Sequence, residues 1–446
     1  MSSARDTSMA NAFIPGNSPL PQTMQALVER RERVLGTAYR LMYQEPIHVS
    51  RGEGVWLFSP EGEKYLDAYN NVSSLGHSHP AVAQAIARQA SVLATHTRYL
   101  QDEILDYSER LLATFPPAID NVMFTCSGSE ANDLAYRIAK YQTGGTGVIV
   151  TETAYHGITD AVSQFSPSLG PNVPLGAHVF KVPAPDNYRL GAEAAAIFLN
   201  GVDVALDAMA ARGIKPAALI VDSIFTSDGI FAEPGNFLAA AAQKIRAAGG
   251  LYIADEVQSG FGRTGTHMWG FERHNVLPDL VTMGKPMGNG FPVAGIAAQS
   301  QIIREFGLNA RYFNTFGGNA VACAAAMAVL ETIQSERLMD NARQMGDALR
   351  LRLAALSARY PQIGDVRGAG LMIGVEIVAA DRAPDKTETT RLVNGMRKRG
   401  VLISSCGAGH NVLKIRPPLI FQPEHVDIFV AAFEAILSRP ETAGPL

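Results

Sequence analysis

Short apolar runs that end in polar residues recur along the chain. Residues 251–254 lead directly into Asp255, and residues 280–283 lead, one glycine later, to Lys285. Runs this short, bounded by polar residues and glycine, are typical of strands buried in a parallel sheet. In an open α/β sheet, ligands bind at the carboxyl ends of the strands. The pattern therefore predicts a carboxylate and a lysine at one edge of a sheet.

Three more apolar runs precede polar segments. They cover residues 122–125, 147–150 and 218–221, and the segments that follow contain Ser127, Gly128, Ser129, Tyr155, His156 and Asp222. After the first run, small or apolar residues recur at helical spacing. A strand that turns through Ser127 into a helix presents backbone N–H groups and a helix dipole to an anion such as a phosphate. The same residues also fit a plain helix start with Ser129 as its N-cap.

Helical and hairpin patterns fill the rest of the chain. The spacing of apolar residues predicts a hairpin of residues 55–58 and 64–66, and helices at residues 24–43, 80–94, 320–360, 387–399 and 423–437. Beyond residue 319 the apolar runs and helices indicate a second, smaller unit. We therefore predict an α/β protein with a mostly parallel central sheet, helices on both faces, and a smaller α+β domain.

The length of 446 residues exceeds what one hydrophobic core usually serves. We expect a flexible tail at residues 1–21 and an N-terminal segment at 22–75 that packs with the small domain. The large domain would span residues 76–325 and the small domain residues 326–446.

Charge and composition narrow the function classes. The net charge of −4 gives no basic field for nucleic acid or an anionic membrane. The longest apolar run, residues 320–330, is too short to span a bilayer, and no signal peptide is expected at the N-terminus. Three scattered cysteines suggest free thiols in a reducing cytoplasm. His77 and His79 lack a third metal ligand nearby, so we expect a helix start there and no metal site.

Asp255 and Lys285 together suggest one kind of chemistry. A lysine can form a Schiff base with pyridoxal phosphate, and a carboxylate can hold the proton on the pyridine nitrogen of that cofactor. Tyr155 could stack on a planar ring beside His156, and Tyr69 could line the pocket. An Asp–Lys ion pair at a sheet edge remains the simpler alternative.

With these residues in place, the sequence resembles the class III aminotransferases, which are pyridoxal-phosphate enzymes of fold type I. The motifs that carry the resemblance are residues 255–265 (DEVQSGFGRTG), Gly284-Lys285, residues 127–132 (SGSEAN), residues 155–157 (YHG) and residues 315–319 (TFGGN).

The resemblance implies a role for each motif. Lys285 would hold the cofactor, Asp255 would pair with its ring nitrogen, and Ser127, Gly128 and Ser129 would bind its phosphate. Val257 and Tyr155 would cover the two ring faces, with His156 beside Tyr155, and Gln258 would bond the phenolic oxygen. Thr315 would reach the phosphate bound by a neighbouring subunit, which implies a homodimer, with a tetramer also open. Arg416 would bind a substrate carboxylate.

One departure bears on the reaction. Many members of the family carry Glu-Pro where this chain has Asp222-Ser223, and in them the glutamate switches the arginine between two substrates. We expect an aminotransferase that moves an amino group from a small amino acid or amine to pyruvate or glyoxylate. The alternative is a pyridoxal-phosphate-dependent lyase that eliminates ammonia (and phosphate) from a small amino-phosphate or aminophosphonate compound. A non-enzymatic sensor of amino compounds is a third reading.

Overall fold

The computed structural model describes residues 11–438 of the chain. Thirteen α-helices form within this range: α1 (Gln22–Leu35), α2 (Pro80–Ala90), α3 (Asp102–Leu112), α4 (Gly128–Thr143), α5 (Asp160–Ser163), α6 (Asn187–Leu190), α7 (Ala194–Ala211), α8 (Leu238–Ala247), α9 (Ser300–Asn309), α10 (Ala320–Ser335), α11 (Leu338–Ser357), α12 (Lys386–Lys398) and α13 (Pro423–Leu437).

Fifteen strands accompany these helices in the same described range. They are β1 (Arg51–Glu53), β2 (Trp56–Phe58), β3 (Lys64–Asp67), β4 (Asn121–Thr125), β5 (Gly147–Thr151), β6 (Val179–Val182), β7 (Pro216–Asp222), β8 (Leu251–Asp255), β9 (Leu280–Met283), β10 (Ala294–Ala298), β11 (Ile363–Ala369), β12 (Met372–Ile377), β13 (Val401–Leu402), β14 (Ser404–Cys406) and β15 (Val412–Ile415).

Seven strands form the central sheet, in the order β4-β10-β9-β8-β7-β5-β6. All pairs are parallel except those of β10, which runs antiparallel to β4 and β9. The register places Asp222 beside Asp255, and Asp255 beside Thr282. The five predicted strands therefore end at one edge, and Lys285 follows three residues after Thr282.

Helices cover both faces of this sheet. Side chains along β7 alternate between two hydrophobic clusters: Ile220 packs with residues of α4 and α9, whereas Leu219 packs with residues of α7 and α8. The alternation follows from the two-residue period of a strand. It explains why these strands read as continuous apolar runs. Together with the smaller sheet of the C-terminal region, the architecture is the predicted α/β arrangement of a mostly parallel central sheet and a smaller α+β part.

Two four-stranded sheets flank the central one. The sheet β11-β12-β15-β14 is antiparallel and comes entirely from the C-terminal region. The other joins the N-terminal hairpin to the C-terminal region, because β13 pairs in parallel with β3. The described part of the predicted tail, residues 11–21, also makes contacts, since Asn11 is buried and its carbonyl accepts from the Tyr43 N–H at 2.7 Å.

Several predicted helices have different limits in the structure. The helix predicted at residues 24–43 ends at Leu35, because Gly36 turns the backbone to a φ of +67°. The helix predicted at residues 80–94 ends at Ala90. The stretch 320–360 is two helices, α10 and α11, separated where Arg337 adopts a φ of +54°. The pattern also does not predict β10, which consists of alanine, glycine and one isoleucine.

Among the described residues, one helical segment is long and apolar enough to cross a membrane by length and composition alone, Asn187–Ala211, with a mean hydropathy of 1.5. Its main part, α7, packs against β6 and α8. One stripe of α7 is buried, and Asp203 on the same helix pairs with Lys244 of α8 at 2.7 Å. The segment is thus an outer helix of the α/β layers, and its apolar composition comes largely from alanine.

Candidate active site

A cavity of about 350 Å³ opens at the carboxyl edge of the central sheet. This volume lies within the usual range for small-molecule sites. Its walls include ten of the residues that the sequence singled out: Ser127, Gly128, Ser129, Tyr155, His156, Asp222, Asp255, Val257, Gln258 and Lys285. The carboxyl ends of five strands of the central sheet and the turns after them supply these residues, so the topology alone brings together residues that are up to 158 positions apart.

The Asp255 carboxylate is fixed by three donors. Its Oδ2 accepts from Asn132 Nδ2 at 2.9 Å and lies 2.7 Å from His156 Nδ1, while its Oδ1 accepts from the Val257 N–H at 3.1 Å. Asn132 is itself held, because its Nδ2 also donates to the carbonyl of His156 at 2.7 Å. Asp255 therefore presents one orientation to the cavity.

Lys285 shares the cavity with Asp255. Burial, followed by the positive charge of Arg416, lowers the pKa of the Lys285 ammonium to about 8, although Asp255 acts in the opposite direction. A lysine with a lowered pKa is more often neutral near physiological pH, and only the neutral amine attacks an aldehyde. Burial in this cavity thus makes Lys285 a competent nucleophile.

The start of α4 forms a cradle for an anion. Ser127 is the N-cap residue, and its Oγ accepts from the Glu130 N–H at 3.3 Å. The capping alternative for Ser129 is therefore wrong, and the Ser129 hydroxyl instead accepts from the Ile158 N–H at 3.1 Å. A Cβ on Gly157 would lie 2.5 Å from Ser129 Oγ, and one on Gly128 would lie 3.0 Å from Val257. Only glycine leaves this cradle open.

The other walls suit a flat ring. Val257 is buried, whereas Tyr155 is partly exposed at the mouth of the cavity, and burial together with Asp255 raises the pKa of its phenol. His156 Nε2 is buried and has no hydrogen-bond partner among the described residues. A carboxylate, a lysine and a phosphate cradle are together what a pyridoxal phosphate group requires.

Arg416 lies next to this cavity but does not line it. Its Nη1 donates to Gln258 Oε1, and its guanidinium carbon lies 4.6 Å from the centre of the Tyr69 ring. Burial alone would raise the pKa of Tyr69, but the charges of Arg416 and Lys414 lower it below its ordinary value. The predicted substrate residues Tyr69 and Arg416 thus form one unit, which Gln258 connects to the cavity wall.

Asp222 does not contact Arg416. Its two carboxylate oxygens accept from the N–H groups of Ile224 at 3.0 Å and Thr226 at 3.1 Å, inside its own turn. Burial and the adjacent Asp255 raise its pKa. The following residue, Ser223, donates to the buried Glu256 at 2.5 Å. The side chains of Asp222 and Ser223 thus form hydrogen bonds with the turn and with Glu256, and Asp222 also lines the cavity.

Thr315 is exposed and lies outside the cavity of its own chain.

His79 directly precedes α2, with Pro80 as its first residue, while His77 pairs with Asp67 at 2.8 Å. Within residues 11–438, no three side chains of the metal-binding types lie together.

Sequence reasoning missed some residues of the site. Asn132 belongs to the SGSEAN motif, but its hydrogen bond to Asp255 was not predicted, because that contact depends on the packing of α4 against β8. Lys414 stands two positions before Arg416, which in an extended chain places both on one side. That spacing was the available signal for a second cation.

The site and the fold define a pyridoxal-phosphate enzyme of fold type I. The family model for class-III aminotransferases matches residues 39–437, so the chain belongs to that family. Its cofactor is pyridoxal 5'-phosphate.

Of three similar proteins, one is named as an aminotransferase and two are named as phospholyases. A Drosophila melanogaster protein named alanine–glyoxylate aminotransferase 2-like is 38% identical, over 92% of this chain and 86% of its own. A Caenorhabditis elegans protein named ethanolamine-phosphate phospho-lyase homolog 1 is 35% identical, over 94% of each chain. The solved structure of a phospholyase from Arthrobacter, in complex with phosphoethanolamine, is 43% identical with a TM-score of 0.90, over 93% of this chain and all of its own.

The pKa of Lys285 can be tested on protein freed of its cofactor. We expect the rate of Schiff-base formation with pyridoxal phosphate to rise with pH through an apparent pKa near 8, because the neutral amine is the nucleophile. Arg416→Met removes a charge that lowers this pKa, so its profile should shift to higher pH. The exposed Arg337→Met should leave the profile unchanged.

Borohydride reduction followed by peptide mapping supplies the second readout of this experiment. The label should appear on Lys285. A label on another lysine, or a shift of the Arg416→Met profile to lower pH, would contradict the assignment.

Proposed function

We propose that the protein is a pyridoxal-phosphate-dependent lyase that eliminates phosphate and ammonia from a small amino-phosphate compound. The observation that carries the proposal is a pair of unneutralised cations beside the cavity. Neither Lys414 nor Arg416 forms an ion pair with a carboxylate among residues 11–438. A phosphate monoester carries close to two negative charges near neutral pH, so two cations match it better than they match one carboxylate.

The turn of Asp222 supports the same choice. A transaminase that alternates between two substrates must bind different groups in one place, and family members do this by switching an arginine onto a glutamate. Here Asp222 is occupied by two backbone N–H groups, and Arg416 is held by Gln258 and Tyr69. An arginine that stays in place suits an enzyme with one anionic substrate. The similarity to the Arthrobacter phospholyase points in the same direction.

Each residue of the site has a separate role in the proposed elimination reaction. When bound, pyridoxal phosphate supplies an aldehyde that condenses with the substrate amine and a ring that accepts electrons. Asp255 holds a proton at the ring nitrogen, and the amine of Lys285 takes the proton from the carbon that bears nitrogen. Lys414 and Arg416 hold the phosphate as it leaves the adjacent carbon. With one water consumed, a 2-aminoethyl phosphate would yield acetaldehyde, ammonia and phosphate.

A reaction without any keto acid tests the proposal. O-phosphoethanolamine mixed with the holoenzyme should give ammonia and phosphate in equal amounts over many turnovers, because elimination needs no amino acceptor. Lys285→Ala, the matched control, should release neither. A single turnover that leaves the cofactor as its amine, without free ammonia, would contradict the lyase.

An aminotransferase that uses a small amino acid or amine with pyruvate or glyoxylate is the second candidate. Its support is the Arg416 side chain, whose planar fork also fits a carboxylate, and the similarity to the Drosophila protein named for alanine and glyoxylate. The same experiment decides between the two, because only the aminotransferase stops after one turnover until a keto acid is added.

We further propose that the active form is a homodimer. A tetramer built from two such dimers is also compatible with this proposal. Large apolar side chains are exposed around the loop that carries Thr315, including Phe316 (68% exposed), Leu100 (96%) and Tyr99 (66%). Patches of this kind on soluble proteins mark interfaces. A second copy seated there would bring each Thr315 towards the partner's cavity.

The three free cysteines support a reducing, cytoplasmic location.

Charge placed in this patch should separate the subunits. Leu100→Asp should sediment as a monomer and lose most of its affinity for pyridoxal phosphate, because burying an unpaired carboxylate in an interface is costly. Leu351→Asp, at a residue that is 74% exposed on α11, should remain a dimer. A fully active Leu100→Asp monomer in analytical ultracentrifugation would refute the shared site.

A further inference from the structure

Arg263 is a buried cation without a counter-ion. It is 2% exposed and ranks among the largest fully buried side chains described. Its Nη1 donates to the carbonyls of Leu371, at 3.1 Å, and Pro417. Its Nη2 is buried and has no partner, and no carboxylate lies within ion-pair distance among the described residues.

Such a group costs stability. Burial, followed by the charge of Arg416, lowers the pKa of Arg263 to about 9, while the negative charge of Asp67 opposes this only in part. Two carbonyl contacts replace less of the lost hydration than a carboxylate would. A neutral side chain could fill the same space at a lower cost in stability. We therefore look for a function of the positive charge.

The position of Arg263 indicates that function. The residue lies in the glycine-rich loop that follows Asp255, eight positions on from it. Its backbone carbonyl accepts from the Leu371 N–H at 3.1 Å, which attaches this loop to the turn between β11 and β12. Its guanidinium holds the carbonyl of Pro417, the residue directly after Arg416. Arg263 thus connects the cofactor loop to the chain segment that presents Arg416.

We propose that Arg263 is a positioning and specificity-determining residue that fixes the Arg416 segment and adds a buried positive charge behind the site for the substrate's anionic group. The inference rests on the proposed function for the nature of that group, a phosphate. In a medium of low polarity, a buried charge acts over longer distances than an exposed one, because water and salt screen it less. Arg263 therefore strengthens anion binding without touching the anion.

Substitutions that remove or keep the positive charge test this role. Arg263→Gln is neutral and has a shorter side chain, whereas Arg263→Lys keeps the charge and a hydrogen-bond donor. The measurement is calorimetric titration of each holoenzyme with methyl phosphate, and spectral titration with n-propylamine, which engages the cofactor but has no anionic group.

We expect Arg263→Gln to weaken methyl phosphate binding by roughly tenfold, as loss of a buried charge near an anion implies. Its affinity for n-propylamine should change less than threefold. Arg263→Lys should bind methyl phosphate within threefold of the wild type. Equal losses for both ligands, or an unchanged affinity of Arg263→Gln for methyl phosphate, would show a purely structural role and overturn the inference.

Arg367 offers a matched control. It is also buried, but it pairs with Glu376 at 2.7 Å and Asp365 at 3.0 Å. Arg367→Gln leaves Glu376 with less compensation, so its melting temperature should fall. Arg263→Gln removes an unpaired charge, so its melting temperature should stay level or rise. A large fall for Arg263→Gln would again indicate a structural role.

The outcome is independent of the reaction type. If the wild type binds methyl phosphate in an Arg263-dependent way but releases no ammonia from O-phosphoethanolamine, the lyase proposal fails and the inference stands. If the wild type binds no methyl phosphate, the titrations are repeated with propionate. The inference is overturned if the wild type binds neither anion, or if the affinity for the anion does not depend on the charge at position 263.

Discussion

The site depends on one constraint, the fixed orientation of the Asp255 carboxylate at the end of β8. Three donors hold it, from Asn132, His156 and the Val257 backbone. Each donor comes from a different part of the chain, so the contact requires α4, the segment after β5 and the turn after β8 to be in place together. A shift of β8 by one residue would turn Asp255 to the other face of the sheet. The parallel register therefore sets the chemistry.

Electrostatics then couples the two ends of the site. Burial, Arg416 and Lys414 lower the pKa of Lys285, and the charge of Arg416 also lowers the pKa of Arg263. A bound anion would offset part of this field and make the Lys285 amine more basic at the moment when it must accept a proton. Anion recognition and proton transfer are thus parts of one charge distribution.

The sequence predicts the cavity walls better than the contacts behind them. Strand ends and glycine turns are local, so the edge that carries Asp255 and Lys285 follows from short patterns. The bond from Gln258 to Arg416 and the burial of Arg263 join residues more than 100 positions apart, and no local pattern encodes side-chain direction over that span. The break at Arg337 was equally invisible, because both flanking segments favour a helix.

The most direct test concerns the charge on Asp255. Asp255→Asn keeps the size of the side chain and removes the carboxylate that holds a proton on the ring nitrogen. We predict that the variant still binds pyridoxal phosphate through Lys285, but that its kcat for ammonia release from O-phosphoethanolamine, or for amino transfer if that is the reaction, falls by about a thousandfold or more. A variant with intact cofactor and a kcat within threefold of the wild type would contradict the account.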